Sequence, residues 1–402
     1  MESRELTSIP LPDHLVAIGD FAFSCCSSLD SIALPVSLTV LGDCAFLNCT
    51  NLSAFQADPK NPFFSTDTYG VLYDKEKSTL LVCPCALSGP FCIPSGVTVI
   101  ADYAFSNCNQ LTEITIPKGV SCIGYHAFSF CSRLTSVVIP EGVTTIEDNA
   151  FYDSTGLVSV TIPASISTIG ENAFVYCTSL KAFSVHPDNQ AYYSSKDGVL
   201  FTRNRATLII CPGGKSGDYK IPESVVRIAD YALCGCAKLT SVTIPESVTS
   251  IGSSAFDSCT GLTSLSIPES VTFIGDWAFS NCTGLTSITI PHGITSIESR
   301  LFLGCSGITS VTISESVTSI GNGAFEGCTG LTTVTIPESV TFIGSSVFTG
   351  CTGLTSVTIP KSVTYIGSRI FISCSSLTIH GVAGSEAERY AAENEIPFEA
   401  LS

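Results

Sequence analysis

The chain has 402 residues, which is too long for one compact core and indicates either two or three domains or one elongated repeat array. Hydrophobic residues make up 45% of the chain and charged residues only 13%, so the composition excludes a disordered protein. The 35 acidic and 18 basic residues give a net charge of −17, and no apolar run is long enough to span a bilayer, so we expect neither a nucleic-acid partner nor membrane insertion.

The first five residues lack the basic segment and the following apolar segment that mark a secretion signal. A repeated pattern begins directly after them, at Leu6. We therefore expect either a protein that is not exported by that route or one from which a leader has been removed.

From Leu6 to residue 376 the sequence repeats with a period of 23 residues. The repeat is easiest to follow in one column of Phe residues, in which Leu occurs once. The members of this column are Phe23, Phe46, Phe105, Phe128, Phe151, Phe174, Leu233, Phe256, Phe279, Phe302, Phe325, Phe348 and Phe371. Successive members are 23 residues apart except at two steps of 59, so the chain contains thirteen coils and two equal extra segments, near 52–87 and 180–215.

Each coil contains three segments with different patterns. In the first, Leu-x-x-Val-x-Ile, apolar residues alternate as in a strand with one buried face, and the Pro that follows lacks the N–H that a longer strand needs. The second, Val-x-x-Ile-Gly, predicts another short strand that ends in a tight turn. The third, x-x-Ala-Phe-x-x-Cys, predicts one helical or 3₁₀ turn that directs Ala, Phe and Cys inwards.

One coil cannot bury these apolar residues alone, whereas stacked coils bury them in a continuous core. We therefore predict an α+β repeat solenoid, a right-handed array of 23-residue coils over residues 6–376. The two extra segments, in which apolar runs flank polar or charged turns, predict β-hairpin inserts. Residues 377–402 depart from the pattern and predict a C-terminal cap, in which a helix with Ser385 as its N-cap covers the last strand edge.

The 23-residue motif Leu-x-x-Val-x-Ile-Pro-x-x-Val-x-x-Ile-Gly-x-x-Ala-Phe-x-x-Cys resembles the leucine-rich repeats of the BspA-like, Treponema-type family, over nearly the whole chain. The departures are local: Ser314 and His380 replace Pro, Glu147 and Glu298 replace Gly, and Ser154 replaces Cys. The resemblance implies a leucine-rich-repeat fold. It also implies a surface or secreted protein of the adhesin class, which binds extracellular-matrix proteins or other cells.

Twelve of the 20 cysteines occupy one column of the repeat, which indicates buried thiols that fill a small niche in each coil. They are Cys26, Cys49, Cys108, Cys131, Cys177, Cys236, Cys259, Cys282, Cys305, Cys328, Cys351 and Cys374. Outside this column, Cys83, Cys85 and Cys92 form the one cluster with metal-like content. A structural zinc site needs four ligands, so we predict no metal and favour a disulfide or free thiols there.

The sequence contains no motif that indicates an enzyme. None of the five His residues repeats a spacing with Cys, Asp or Glu that suggests a metal site or a catalytic triad, and neither a phosphate loop nor paired catalytic carboxylates are visible. A regular column of Glu that follows the Pro has a simpler interpretation as a solvated turn, although it also has the charge to attract a basic partner or Ca²⁺. We predict a non-enzymatic protein without a cofactor.

Large aromatic residues that interrupt polar columns are the candidate binding residues. Phe273, Phe342 and Tyr365 occupy a column in which several other coils have Ser or Thr, and Trp277 is the only Trp of the chain. Exposed aromatics on a rigid scaffold are good anchors for a partner, whereas the alternative is that they pack against neighbouring turns. A second such group comprises Tyr103, His126, Phe130, Tyr152 and Tyr176.

Three classes of function follow from these features. The first is a cell-surface or secreted adhesin-like protein that binds a protein or glycoprotein ligand of host or neighbouring cells. The second is an intracellular, cytoplasmic scaffold for protein–protein interactions, which the missing signal segment and the many thiols favour. The third is a carbohydrate-active enzyme on a solenoid, which would need acids that break the repeat on one face. The sequence leaves the oligomeric state open.

Overall fold

The computed structural model describes residues 5–401, in which 35 short strands and a single helix are present. The chain divides into two compact units, of which the first ends at Val199 and the second begins at Leu200. In the described part, no helix is long and apolar enough to cross a membrane.

Unit 1 consists of strands and turns. Its strands are β1 (Ala17–Ile18), β2 (Ser31–Leu34), β3 (Val40–Leu41), β4 (Ala54–Ala57), β5 (Phe64–Thr66), β6 (Leu72–Asp74), β7 (Thr79–Val82), β8 (Gly89–Cys92), β9 (Val99–Ile100), β10 (Leu111–Thr115), β11 (Cys122–Ile123), β12 (Ser136–Val138), β13 (Thr145–Ile146), β14 (Ser159–Ile162), β15 (Thr168–Ile169), β16 (Ala182–Val185) and β17 (Tyr192–Ser194).

Unit 2 continues the same alternation and ends with the helix and one more strand. Its elements are β18 (Leu200–Thr202), β19 (Thr207–Ile210), β20 (Gly217–Lys220), β21 (Arg227–Ile228), β22 (Leu239–Thr243), β23 (Ser250–Ile251), β24 (Ser264–Ser266), β25 (Phe273–Ile274), β26 (Ser287–Thr289), β27 (Ser296–Ile297), β28 (Ser310–Thr312), β29 (Ser319–Ile320), β30 (Thr333–Thr335), β31 (Phe342–Ile343), β32 (Ser356–Ile359), β33 (Tyr365–Ile366), β34 (Thr378–Gly381), α1 (Glu386–Glu393) and β35 (Phe398–Ala400).

Equivalent strands of successive coils pair in parallel, as the 23-residue period requires. The first segments form the sheet β8–β10–β12–β14–β16 in unit 1. The second segments form β9–β11–β13–β15, and the strands β7, β6 and β5 of the first extra segment extend that sheet beyond β9. In unit 2 the corresponding sheets include β20–β22–β24, β30–β32–β34–β35 and β27–β29–β31–β33. The partners are one period apart, for example Ile123 and Ile146. The fold is therefore a repeat solenoid built mostly from strands.

The Phe column forms the centre of the core. The rings of Phe105 and Phe128 stack with centroids 4.8 Å apart, and those of Phe128 and Phe151 are 5.1 Å apart. The stack recurs in unit 2, where Phe302 and Phe325 are 5.5 Å apart. These five rings are fully buried, and successive rings are in contact, so regular neighbouring coils share one core.

The third segments of successive coils, which we call the turn row, form hydrogen-bonded turns instead of the predicted helical or 3₁₀ turns. In one coil the N–H of Ala104 donates to the carbonyl of Ala101 at 3.2 Å, whereas the N–H of Phe105 donates to the carbonyl of Ala127 in the next coil at 2.8 Å. Between them Tyr103 has a positive φ of 57°. Because alternate N–H groups leave the coil and a positive φ breaks a right-handed helix, no helical turn forms.

The extra segments contain antiparallel pairs. In residues 52–87, β6 pairs with β5 on one side and with β7 on the other, both antiparallel, and β7 then pairs in parallel with β9. In unit 2, β18 and β19 are antiparallel, and β19 pairs in parallel with β21. The last strand of each extra segment therefore pairs with the next coil in the way that a strand of a regular preceding coil would.

The C-terminal residues cover the last coil with both a helix and a strand. The helix α1 packs its buried Tyr390 onto the Phe371 ring, with centroids 6.0 Å apart, and the Tyr390 hydroxyl accepts the N–H of Ile370. Beyond the helix, β35 pairs in parallel with β34. Ser385 is the N-cap, as predicted, and has an extended backbone, although its side chain makes no capping hydrogen bond. The N–H of Gly384 donates instead to Glu388, which leaves the Ser385 hydroxyl buried without a partner among the described residues.

Candidate binding surfaces

Three of the predicted aromatic residues lie at the start of second strands in unit 2. Phe273, Phe342 and Tyr365 begin β25, β31 and β33, and each is followed by a buried Ile. Neighbouring residues of a strand point to opposite faces, so the aromatic side chains face outwards. Their exposed fractions are 52%, 42% and 52%.

Phe342 and Tyr365 form a stack on the surface, which we call the aromatic stack. The two residues are register partners in adjacent coils. Their ring centroids are 4.9 Å apart and the ring planes differ by 4°. Two parallel rings on a regular sheet give a flat apolar surface with little side-chain freedom, which suits contact with an apolar or aromatic group of a partner.

Phe273 lies away from this stack. Its register partner is Ser250 in the preceding coil, and the coils that contain Ser296 and Ser319 separate it from Phe342. The column is therefore aromatic at two places and polar between them.

Trp277 contacts a cation instead of another ring. It lies in the turn row with a φ of 60°, and the guanidinium carbon of Arg300 lies 4.7 Å from its ring centroid. Arg300 occupies the same column one coil later, so the contact follows from the 23-residue period and is of the cation–π type. The structure thus divides the four predicted residues into the aromatic stack, Phe273 and a Trp277–Arg300 pair.

The second predicted group lies in the turn row of unit 1, where its members contact one another in series. The Tyr103 ring stacks on His126 at 5.0 Å, and His126 is 6.2 Å from Tyr152. Tyr152 also contacts Phe130 at 5.6 Å and Tyr176 at 5.5 Å. These rings pack against neighbouring turns, which was the structural alternative for this group.

Tyr125 extends this series and is not among the residues predicted from the sequence. Its ring lies 5.5 Å from Tyr103 and 4.4 Å from His126. The column that contains Tyr125 has Asp in several other coils, such as Asp102 and Asp148, so the change to Tyr was the available signal. Burial lowers the pKa of His126, whose Nδ1 has no hydrogen-bond partner among the described residues.

A cleft of 830 Å³ opens in unit 1 beside the first extra segment. One wall is formed by residues 39–47 of one coil, and the other wall by residues 99–106 of the next coil. We call the boundary between these two coils the interrupted junction. We call the space between its walls the junction cleft. Phe64, Leu81 and Val82 of the extra segment also line it. One side-chain bond crosses the boundary, from Asn107 Nδ2 to Asn48 Oδ1 at 2.5 Å. No pattern within the repeat predicts this site, because the cleft is formed where the first extra segment separates two successive coils.

The junction cleft is acidic. Asp43, Asp102 and Glu147 line it, whereas no Lys, Arg or His does. Burial, followed by the negative charges of Asp43 and Asp102, raises the pKa of Cys44 on one wall. Burial and the neighbouring Tyr125 raise the pKa of Tyr103 on the other wall to about 12.

In most regular coils, the column cysteine donates a hydrogen bond to the preceding coil. The Cys305 thiol donates to the carbonyl of Phe279 in the preceding coil at 2.9 Å, and the Cys351 thiol donates to that of Phe325 at 3.1 Å. Ser154, which replaces Cys in one coil, makes the same bond to the Phe128 carbonyl at 2.6 Å. Within residues 5–401, none of the twenty cysteines forms a disulfide. Between regular neighbouring coils, a buried side chain therefore ties one coil to the coil before it, whereas Cys108 and Cys236 contact carbonyls of the extra segments.

The sequence model of a protein family, described as the BspA type leucine rich repeat region, matches this chain in six copies, over residues 1–68, 85–195, 215–328 and 295–383. The chain belongs to the BspA-type leucine-rich repeat family. Repeats of this family form scaffolds suited to protein binding and are generally without catalytic activity.

Solved structures of bacterial leucine-rich repeat proteins share the BspA-type fold of this chain. A leucine-rich repeat protein from Eubacterium ventriosum ATCC 27560 aligns with a TM-score of 0.63 and 23% identity over 75% of this chain and 92% of that one. A leucine rich cell surface protein from Faecalibacterium prausnitzii A2-165 aligns with a TM-score of 0.55 and 29% identity over 94% and 85%. The pneumococcal vaccine antigen PcpA aligns with a TM-score of 0.53 and 20% identity over 93% and 80%. The comparison with curated proteins gives no match.

The regular acidic column of this BspA-type chain has structural roles where the structure shows its contacts. Glu141 accepts the backbone N–H groups of Ala164 and Ser165 in the next coil, which lowers its pKa. Glu269 accepts the N–H of His292 one period later. Across residues 5–401, no group of three or more His, Cys, Asp or Glu side chains is arranged to hold a metal ion.

Proposed function

We propose that this BspA-type protein is a non-enzymatic binding protein whose ligand is a protein or glycoprotein of host or neighbouring cells. The same proposal places it at the cell surface or outside the cell, as an adhesin-like molecule. It is supported by membership of a family of binding scaffolds and by the similarity to a protein described as a leucine rich cell surface protein.

The single observation that carries the proposal is the aromatic stack. Phe342 and Tyr365 are held in register by the parallel pairing of β31 and β33, and their buried neighbours Ile343 and Ile366 anchor the strands. A partner that covers these rings removes apolar surface from water without first ordering a flexible loop. Phe273 and the Trp277–Arg300 pair supply further contacts in the same unit.

The test is direct binding of the full chain to immobilised fibronectin, fibrinogen, laminin, collagen and mucin glycans. Three double variants are compared with the natural chain: Phe342→Ser with Tyr365→Ser, Phe273→Ser with Trp277→Ser, and Val226→Ser with Ile372→Ser. The last pair removes exposed apolar side chains of unit 2 that lie outside the proposed surface, and it serves as the matched control.

We expect saturable binding to at least one ligand, a loss of about tenfold or more when the aromatic stack is removed, and no loss in the control. If the intact chain binds none of the five ligands, the adhesin proposal in this form is wrong. Equal losses in the control and in the aromatic variants would remove the stack from the proposal.

The second candidate is an intracellular scaffold for protein–protein interactions, which the twenty free thiols favour. Disulfides form and persist in oxidising compartments, whereas cytosolic proteins keep their thiols reduced. The test is alkylation of the protein in its native cells, followed by mass spectrometry. Complete alkylation of the exposed and half-buried cysteines, Cys25, Cys44, Cys92 and Cys122, supports the intracellular candidate, and recovery of the protein outside the cell contradicts it.

A further inference from the structure

The interrupted junction leaves a backbone edge without partners. At a regular boundary, the carbonyl of Ile18 accepts the N–H of Gly42 at 2.8 Å. The equivalent carbonyl one coil later is that of Leu41, and β3 pairs only with β1. Among the described residues, the carbonyl of Leu41 therefore has no hydrogen-bond partner on the side of the junction cleft.

The turn row is interrupted in the same place. The N–H of Phe23 donates to Ala45 in the next coil at 2.8 Å, and the N–H of Cys25 donates to Leu47 at 2.8 Å. The equivalent groups one coil later are the N–H groups of Phe46 and Asn48, which make no such bond within the described residues. The wall at 39–48 thus presents carbonyl acceptors from β3 and N–H donors from the turn row.

The Asp side chains of one column show the same difference between regular boundaries and the interrupted junction. The Asp20 carboxylate accepts the N–H of Asp43 at 2.9 Å, and the Asp102 carboxylate accepts the N–H of Tyr125 at 2.8 Å, each one coil later. Asp43 occupies the same column at the interrupted junction, and its carboxylate accepts no hydrogen bond from the described residues. Its negative charge is exposed at the edge of the junction cleft.

We propose that the junction cleft binds an extended peptide segment of a partner protein, which adds to the open edge at residues 39–48 and places a Lys or Arg side chain between Asp43, Asp102 and Glu147. The backbone of the peptide replaces the missing neighbouring coil, as in recognition by strand addition. Val40, Leu41 and Val82 take its apolar side chains, and Tyr103 and Tyr125 lie beside the cation. This site is separate from the aromatic stack, since every residue that lines it belongs to unit 1.

The charge of the cleft decides which peptide it prefers. Three carboxylates and no cation line it, so a basic side chain is attracted and an acidic one is repelled. Its volume of 830 Å³ falls within the range of ligand sites that bury most of their occupant.

The experiment measures fluorescence anisotropy with the full chain and three labelled heptapeptides. The first is Ser-Val-Lys-Val-Lys-Val-Ser, blocked at both ends, the second has Glu in place of both Lys, and the third has the first sequence with N-methylated backbone amides at both Lys. We expect saturable binding of the first peptide and binding at least about tenfold weaker for the other two, because one is repelled and the other has lost backbone donors.

Two isosteric double variants, which remove the same number of charges, test the site. Asp43→Asn with Glu147→Gln removes two charges from the cleft, and Glu246→Gln with Glu338→Gln removes two exposed charges from unit 2. We expect the first to weaken binding of the Lys peptide by about fivefold or more and the second to leave it unchanged. Val40→Arg places a cation in the cleft from an exposed position and is expected to abolish binding, with circular dichroism as the check that the variant is folded.

Three results would overturn the proposal. They are no binding of the Lys peptide at millimolar protein, equal binding of the Lys and Glu peptides, and equal effects of the two double variants. Equal binding of the N-methylated peptide would overturn the pairing with the open edge. None of these results affects the aromatic stack, because that test uses variants of unit 2 only.

Discussion

The regular coils of unit 2 and the interrupted junction of unit 1 differ in how the backbone N–H and C=O groups of neighbouring coils are paired. In unit 2 the N–H of Phe302 donates to Ala324 at 2.8 Å and that of Phe325 donates to Val347 at 3.0 Å, so each coil satisfies its neighbour. At the interrupted junction the backbone of one coil faces the junction cleft instead. A regular array has specificity only where a side chain departs from its column, as in the aromatic stack. An interruption exposes the backbone itself.

The largest expected effect is a loss of folding stability at alkaline pH, which arises from the buried thiols of the regular coils. Burial raises the pKa of the Cys259 and Cys328 thiols well above the ordinary value of 9.0, with contributions from neighbouring cysteines. The folded state therefore disfavours the thiolate that the unfolded state forms above pH 9. The free energy of unfolding is then fully present below pH 9 and falls as the pH rises above it, by up to about 1.4 kcal/mol per pH unit for each such thiol.

Urea unfolding of the natural chain between pH 8 and pH 11 measures this loss. Replacement of Cys259 and Cys328 by Ser, which Ser154 shows to be compatible with the niche, should make the pH dependence shallower. The matched control is Cys92→Ser, since Cys92 is exposed and free. An unchanged slope in the double variant would contradict the role of the buried thiols.

The second comparison uses the Phe column. Phe302 is fully buried between Phe279 and Phe325, at centroid distances of 5.6 and 5.5 Å. We expect Phe302→Ala to lower the free energy of unfolding by about 3–5 kcal/mol, because the regular coils on both sides hold the cavity open. Phe46→Ala should cost less, because Phe46 lines the junction cleft and the space it leaves can relax or fill with water.

Chemical denaturation, followed by circular dichroism, gives both values. A loss for Phe46→Ala equal to or greater than that for Phe302→Ala would show that the junction cleft does not relieve the cavity. Leu233, the natural Leu of the same column, sets the reference for a smaller side chain that the fold accepts.

The smallest expected effect needs no substitution. The N–H groups of Phe46 and Asn48 have no partner among residues 5–401, whereas those of Phe279 and Asn281 donate to Leu301 and Leu303 of the next coil. Hydrogen exchange monitored by mass spectrometry should be faster in the peptide that contains Phe46 by about a hundredfold or more. Comparable protection of the two peptides would mean that the backbone edge proposed for peptide binding is already paired in solution.

The sequence predicted the stacked coils because strand alternation is visible within each repeat and the 23-residue period is visible from one repeat to the next. It did not predict the turn row, because the spacing of Ala, Phe and Cys in one coil is also that of a helical turn. The difference lies in N–H groups such as that of Phe105, which bond to another coil. Such a bond has no local sequence signal.

The aromatic stack was accessible from the sequence in the same way as the fold. Phe342 and Tyr365 are one period apart, so their contact follows from the register, and the Trp277–Arg300 pair follows by the same argument. The junction cleft was not accessible. Its walls are formed by residues at regular positions of the repeat. Only the first extra segment, which lies between the two coils, distinguishes these residues from their equivalents in other coils.

The direction of the backbone bonds in the turn row has a mechanical consequence. They run from each coil to the next, as from Phe21 to Asp43 at 3.0 Å, so tension between successive coils loads them directly. In the part of the turn row of unit 1 that the structure describes, one side-chain hydrogen bond crosses the interrupted junction and resists such tension, from Asn107 to Asn48. A molecule held at one end and pulled at the other should therefore widen the junction cleft before any regular coil unravels, so that force exposes more of the open edge while the core stays intact.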